Sequence, residues 1–265
     1  MPEIDILIPV REPAPWLPET LAGVKALIGG PYRTVVVVNG PNRETTGMIA
    51  DAGLDVVLTS SPDSYNLGES LNVGLDACRA PFVARLDQDD IPMPSRLVTQ
   101  VEFLRRHPDA AMTCSGRRFI DERGKVLGDA SPPGSAAELL ATMRWKNVVW
   151  HPTVLFRRDA VVQLGGFSPE AVFVEDYELW LRMLARWEIV PIVEPLILYR
   201  IHAHQITQAK VITRSASRAV LRARVGLAEA REESTTAARA RHLAWSARQI
   251  PRWLARSVQH TGGAG

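Results

Sequence analysis

The sequence predicts an α/β fold organised around a sheet that is parallel over at least its first part. Three observations lead there. Short apolar, β-branched runs recur through residues 4–86, stretches of helical spacing lie between them, and stops containing Gly, Pro or Asn separate the two. The chain has 265 residues, 46% of them hydrophobic and 23% charged. That is the composition of a globular domain with a substantial core, and it excludes a disordered, collagen-like or disulfide-built chain. At this length one large α/β domain with an appendage is expected in place of two equal domains.

Residues 4–10 (IDILIPV) stop at Arg11-Glu12-Pro13 and residues 33–38 (RTVVVV) stop at Asn39-Gly40. Runs this short and apolar read as strands covered on both faces. Between them Leu17, Leu21, Val24, Leu27 and Ile28 carry helical spacing up to Gly29-Gly30. Residues 44–52 read as helix, 54–58 as strand, 67–78 as helix and 81–86 as strand, an alternation that builds right-handed βαβ units. Downstream the pattern predicts a helix at 94–107, a strand at 110–115, a hairpin across Phe119–Leu127 turning at Asp121–Gly124, a polar loop at 129–135 and a helix at 136–144. A strand at 153–156, helices at 158–164 and 176–187, and strands at 189–193 and 196–200 complete the body. In such sheets ligands bind beyond the carboxyl ends of the strands. Pro9–Glu12, Asn39–Gly40 and Asp87–Asp90 are therefore the positions to inspect.

The net charge of +2 hides an asymmetry: residues 210–265 hold 11 Lys and Arg against 3 Asp and Glu, while residues 1–209 hold 20 against 26. An acidic body carries a basic tail. Cys78 and Cys114 lie far apart with no zinc-like spacing, so both are expected as buried, reduced thiols. Glu3 and Asp5 interrupt the place where a secretory signal would need a basic start, and no run approaches 18 apolar residues, so a cytoplasmic location is expected.

Arg85-Leu86-Asp87-Gln88-Asp89-Asp90 sets three carboxylates in four residues directly after a strand. Like charges this close raise at least one pKa unless a cation neutralises them, and oxygen ligands on a short turn suit Mg²⁺ or Mn²⁺ bridging a diphosphate. The plainer alternative is an acidic turn whose Asp90 helps start the next helix, delimited by Pro92 and Pro94. Glu175-Asp176 opens a helix with Leu179, Trp180, Met183 and Leu184 on its apolar face. These acids either complement the helix dipole or accept a proton from an attacking hydroxyl. His202 fits either a carboxylate-rich metal site or an ordinary loop hydrogen bond, and His151 either a substrate contact or a buried polar residue. Asn66, Gly68 and Asn72 sit at a helix start, where free N–H groups face a ligand or a cap is formed. Neither GxGxxG nor GxxxxGK[ST] occurs, which counts against dehydrogenases and kinases.

Taken in order, these segments resemble the family 2 glycosyltransferases of the GT-A fold. The matching stretches are Pro9-Val10, Asn66-Leu67-Gly68, Leu71-Asn72-Val73-Gly74, the block at 84–91, Arg96-Leu97 with Gln100–Leu104, and Ile120-Asp121 with Gly124-Lys125. They continue through His151-Pro152-Thr153-Val154, Phe156-Arg157, Gly165-Gly166-Phe167, Glu175–Arg182 and Tyr199-Arg200-Ile201-His202 to Gln205-Ile206-Thr207. The resemblance implies a nucleotide-binding mixed sheet flanked by helices and a catalytic domain over 1–209. Residues 1–115 form its nucleotide-sugar half and 116–209 its acceptor half; 210–265 is a basic helical extension. It also implies Mn²⁺ or Mg²⁺ on Asp87, Asp89 and His202. Pro9, Val10, Glu12, Asn39, Asn66, Gly68, Asn72, Arg85, Asp87 and Gln88 would contact a UDP, dTDP or GDP sugar. Asp176 would be the base with Glu175 beside it, and His151 and Trp180 would lie on the acceptor side. The implied reaction is inverting transfer to a hydroxyl of a glycan, glycolipid or small molecule.

Two departures matter. Val38-Asn39 stands where the family usually has an acidic pair that reads uracil, and Arg11-Glu12 replaces its usual Tyr-Asn. A sugar-1-phosphate nucleotidyltransferase would need a Gly-rich segment after the first strand, which Pro9–Pro13 lacks. A non-catalytic sugar-nucleotide-binding protein would not need Asp176. Segments 128–135 and 200–210 are candidates for a lid. In the tail, Ile250, Trp253, Leu254 and Val258 form an apolar stripe beside Arg248, Arg252 and Arg256. That pattern fits either an anionic membrane surface or packing on the body or on a second subunit of a homodimer. Nucleic acid is not expected, because the acidic body would repel it.

Overall fold

The computed structural model describes residues 2–40, 43–203, 205 and 212–248. The chain begins β1 (Ile4–Arg11), α1 (Leu17–Lys25), β2 (Tyr32–Asn39), α2 (Arg43–Asp51), β3 (Val56–Ser61), α3 (Leu67–Ala77) and β4 (Phe82–Arg85). These four strands are parallel in the order β3-β2-β1-β4. After β5 (Ile91–Pro92) and α4 (Arg96–Arg105) come β6 (Ala110–Ile120), β7 (Val126–Ala130), α5 (Ala136–Met143), β8 (Val154–Arg157) and α6 (Arg158–Gln163). α7 (Glu175–Leu184), β9 (Glu188–Arg200), α8 (Arg214–Ala230) and α9 (Thr235–Ala247) complete the described residues. The sheet continues past β4 as β8-β6-β9-β5, with β7 attached to β6. Here the pairing turns mixed: β8 is antiparallel to both β4 and β6, while β6 and β9 are parallel.

The apolar runs are continuous because both faces of the sheet are covered. Leu7, Val35 and Val37 point into a core with Leu71, Val83, Phe156 and Trp180. Ile6, Ile8, Val10, Val36 and Val38 point into a second core with Leu17, Leu21, Val24 and Leu97 on the other side. Cys78 and Cys114 are both free and buried, and burial pushes each thiol up to about 12.

Several boundaries differ from the sequence expectation. β3 starts at Val56 and runs through polar Thr59–Ser61, because its register against β2 from Thr34 to Asn39 defines it. β6 passes without interruption through 115 and 116, so the two halves read from sequence share a strand. The two strands expected at 189–193 and 196–200 are one strand, β9, whose register against β6 shifts around Gly116. A side chain at Gly116 would meet the Val193 carbonyl at 2.5 Å, so this irregular crossing needs glycine. Asp129 and Ala130 belong to β7, not to the expected loop.

Among the described residues the tail forms two helices. α8 packs on α7 through Ala216, Ala219, Val220, Ala223 and Leu227, and α9 adds Trp245. Residues 212–248 therefore pack on the body, whereas the amphipathic segment at 250–258, to which the membrane and packing alternatives apply, lies outside the described residues. Most of the 200–210 lid candidate, including His204, lies outside them too. Among the described residues no helix is long and apolar enough to cross a membrane.

Candidate functional site

The site begins where β4 ends. β4 is buried along its length and Leu86 is wholly buried, so the chain leaves the sheet at one fixed point. The turn 87–90 follows, closed by a long contact of 3.4 Å from Asp90 N–H to the Asp87 carbonyl. One carboxylate oxygen from each of Asp87, Asp89 and Asp90 lies within 4.8 Å of the others. Burial, then the Asp87 charge, raises the Asp89 carboxyl above its ordinary value despite the pull of His202. Burial, then the charges of Asp89 and Asp87, holds Asp90 well above it. Three such groups hold their full negative charge together only beside a cation.

Fixed cations surround this turn. Arg85 pairs with Asp87. Arg96, wholly buried and pushed down to about 9 by burial, donates to the Arg85 carbonyl at 2.7 Å and the Val154 carbonyl at 3.1 Å. Arg200, at the end of β9, donates its backbone N–H to Asp90 Oδ1 at 3.0 Å and its guanidinium to the carbonyls of Asp89, Asp121 and Glu122 and to Glu19 Oε2. Asp90 thus anchors β9 instead of starting a helix, and its Oδ2 is buried with no hydrogen-bond partner. His202 Nε2 lies 2.7 Å from Asp89 Oδ2, with its ring 4.4 Å from that of Trp16. Asp89 and His202, far apart in sequence, are brought into contact.

The strand ends of β1 and β2 align beside this turn, with Arg11 opposite Asn39. Pro9 and Val10 are buried, and Glu12 is exposed and accepts from Ala14 N–H at 3.2 Å. Gln88 clamps the end of β1, accepting from Arg11 N–H at 2.7 Å and donating to the carbonyls of Arg11 and Pro13. The Asn39 amide turns into the β3–α3 loop, its NH₂ facing oxygens of Ser61, Pro62, Tyr65 and Ser70. Asn39 Oδ1 is buried with no hydrogen-bond partner. A base held by Asn39 would have to approach through that packed loop.

A second group forms around the start of α7. Asn66 caps α3 in a reciprocal box with Glu69 and also donates to the Pro169 carbonyl at 3.2 Å. Asn72 exchanges two hydrogen bonds of 2.8 Å with the backbone of Phe167. A side chain at Gly68 would meet Glu175 Cβ at 3.4 Å. These three residues hold the 166–169 loop against α3 and so place Glu175 and Asp176. Glu175 is buried and Asp176 half-buried. Asp176 Oδ2 accepts from Asn147 Nδ2 at 2.9 Å, and its Oδ1 accepts from Tyr177 N–H at 2.6 Å. Trp180 is fully buried, with His151 and Phe167 against its ring, so the structure places it in the core and not on an acceptor surface. His151 is 7% exposed.

The segment 147–153 joins the two groups. Asn147 reaches Asp176, while Trp150 lies 4.1 Å from the Arg117 guanidinium, which also faces Tyr199 on β9. Sequence reading missed Arg117 and Asn147, and nothing in their spacing marks them. Arg96 and Arg200 lie inside stretches it did single out, without a role, and Asp90 is read there as one of three crowded acids or as a helix start.

The mixed α/β sheet flanked by helices is the GT-A fold of the glycosyltransferases it superposes on. Staphylococcus aureus TarS residues 1–349, solved with UDP-GlcNAc, superpose with a TM-score of 0.71 at 13% identity, covering 92% of this chain and 71% of that one. The mannosyltransferase PcManGT of Pyrobaculum calidifontis, solved with GDP-Man and Mn²⁺, gives 0.60 at 16% identity, covering 100% and 76%. The model of glycosyl transferase family 2 matches residues 5–165, and the chain belongs to that family. The amylovoran biosynthesis glycosyltransferase AmsE of Erwinia amylovora is 32% identical over 154 residues, 57% of each chain, so the match spans little more than half of that relative.

Proposed function

We propose that this protein transfers a sugar from a nucleoside-diphosphate sugar to an acceptor hydroxyl in polysaccharide or glycolipid synthesis, with inversion at the anomeric carbon. The observation that carries the reading is the crowding of Asp87, Asp89 and Asp90 at the end of β4 in a chain of this family. The donor set fits a hard divalent ion: Asp89 and Asp87 carboxylates with His202 as nitrogen ligand, beside Asp90, whose buried Oδ2 has no hydrogen-bond partner. A Mn²⁺ or Mg²⁺ held there would offset the charge that grows on the departing diphosphate.

The protein's own groups account for the rest. The acceptor oxygen bonds to the anomeric carbon as the bond from that carbon to the diphosphate oxygen breaks. Asp176 takes the acceptor's proton. Its carboxylate is held in place by the Asn147 amide and the Tyr177 N–H. The ends of β1 and β2, with Pro9, Val10, Glu12 and Asn39, would form the donor side. UDP, dTDP and GDP sugars are all candidates, since the Asn39 amide is engaged by Ser61, Pro62, Tyr65 and Ser70 and selects no base. The basic segment at 250–258 would bring the enzyme to an anionic surface; removal of residues after 248 should weaken binding to phosphatidylglycerol vesicles, and unchanged binding removes the membrane from this reading.

The test is turnover of Asp176→Asn on a panel of UDP-glucose, UDP-N-acetylglucosamine, dTDP-glucose and GDP-mannose, with nucleoside diphosphate release as readout. Turnover should fall by roughly 10² or more with donor binding retained. Full turnover in that variant would remove Asp176 as the base.

A further inference from the structure

The basic tail lies outside the residues matched by the family, yet one of its arginines reaches the support of Asp176. Arg224, on α8, is 3% exposed. Its guanidinium donates to the Arg144 carbonyl at 2.6 Å, the Trp145 carbonyl at 3.0 Å and the Tyr177 hydroxyl at 2.8 Å. Tyr177 in turn donates from that hydroxyl to the Met143 carbonyl at 2.7 Å. These carbonyls close the C-terminal end of α5, where helical partners run out and a cation is favoured. Glu233, just past α8, holds Arg144 through a two-pronged ion pair.

The bend fixed in this way delivers Asn147. Asn147 Oδ1 accepts from Val149 N–H at 3.0 Å, which settles the amide's orientation, so its NH₂ must face Asp176 Oδ2 at 2.9 Å. The other carboxylate oxygen is held by the N–H of Tyr177, the residue whose hydroxyl Arg224 also grips. Arg224 therefore acts on both oxygens of Asp176 through separate routes.

We propose that Arg224 is a positioning residue for sugar transfer: α8 holds the turn at 143–147 so that Asn147 and Tyr177 fix the Asp176 carboxylate toward the acceptor. The proposal rests on the reading of Asp176 as base. It gives the helical tail a part in the reaction besides covering the core. A lysine retains the charge and part of the donor set, whereas a methionine of similar length leaves the carbonyls of 144 and 145 unbonded.

The experiment compares Arg224→Met, Arg224→Lys, Asn147→Ala, the double variant Arg224→Met/Asn147→Ala and Asp176→Asn. The probe is the donor from the panel above that the wild-type protein turns over, with water as acceptor, and kcat and donor KM are read separately. The side-chain amide signal of Asn147 in a ¹H–¹⁵N spectrum, assigned by its loss in Asn147→Ala, reports the contact without any turnover. Arg224→Met and Asn147→Ala should each lower kcat about tenfold with donor KM within about twofold. The double variant should lose less than the product of the two single losses, Arg224→Lys should recover most of the rate, and the Asn147 signal should move in Arg224→Met. A wild-type kcat and unmoved signal in Arg224→Met, or losses that multiply in the double variant, would overturn the proposal. If Arg224→Met does not fold, Arg224→Gln carries the same measurements. Full turnover in Asp176→Asn would defeat the base reading while the amide signal still tests the positioning; an inactive Asp176→Asn beside a wild-type Arg224→Met would defeat the positioning alone.

Discussion

Replacing Arg200 by methionine removes the group that ties four parts of the site together. Its side chain is wholly buried, and its guanidinium bonds to the carbonyls of Asp89, Asp121 and Glu122 at 3.1, 3.3 and 3.1 Å and to Glu19 at 2.7 Å. Each carbonyl bond is long for its type, so a net value of about 1 kcal/mol apiece is appropriate. The Glu19 pair adds at most about 1 kcal/mol, because an exposed carboxylate is well hydrated without its partner. Glu19 is 55% exposed. Arg200→Met should therefore lose about 3–4 kcal/mol of stability, and Glu19→Gln less than about 1 kcal/mol. Urea denaturation followed by the fluorescence of the seven tryptophans measures both. A loss below about 1 kcal/mol in Arg200→Met, or equal losses in the two variants, would refute the view that the three carbonyls make Arg200 the brace of the acidic turn.

Asp5 offers a test with a pH signature. Burial raises its carboxyl, but the bonds from Arg33 and from the N–H groups of Ala80 and Arg79 outweigh that and leave it below its ordinary value. A lowered folded pKa gives stability that is complete above the unfolded value and lost as pH falls through the folded one. Asp5→Asn should cost about 3 kcal/mol at pH 7, and in thermal melts the gap from wild type should narrow below about pH 4; a constant gap would contradict the assignment. Gly74 on α3 sits where a side chain would press on Leu7 and Val37. Gly74→Ala should therefore destabilise by about 1–3 kcal/mol, and a neutral or stabilising result in the same melts would show that the helix can lift off the sheet.

Much of the architecture is legible in the sequence because two-sided burial writes continuous apolar runs. β1 and β2 are of this readable kind, while the hairpin turn at 121–124 is marked by its polar residues and Gly124. What escapes is whatever depends on partners distant in the chain. β3 ends in Thr59-Ser60-Ser61, polar residues that are strand only because Val37–Asn39 pair with them. β9 contains Pro195 and reads as two pieces, although its pairing with β6 continues across the irregularity. At the site, the acidic triplet and His202 are visible as motifs. The buried layer of Arg85, Arg96 and Arg200 beneath them is not, because an isolated arginine in a sequence is ordinarily a surface residue. Asn66, Asn72 and Gln88 sit at the expected places but spend their hydrogen bonds on the protein's own backbone. A motif spacing fixes where such a side chain lies and leaves open whether it faces a ligand or a loop.

The most direct measurement is the thermal stability of wild type, Asp89→Ala and Asp176→Asn with UDP, dTDP and GDP, each with and without Mn²⁺. A nucleotide that binds the folded state at 100 times its Kd adds about 2.7 kcal/mol, which a melt resolves easily. The stabilisation should appear for at least one nucleotide only when Mn²⁺ is present, persist in Asp176→Asn and vanish in Asp89→Ala. Equal stabilisation of Asp89→Ala and wild type, or stabilisation indifferent to Mn²⁺, would contradict a cation-binding role for the acidic turn.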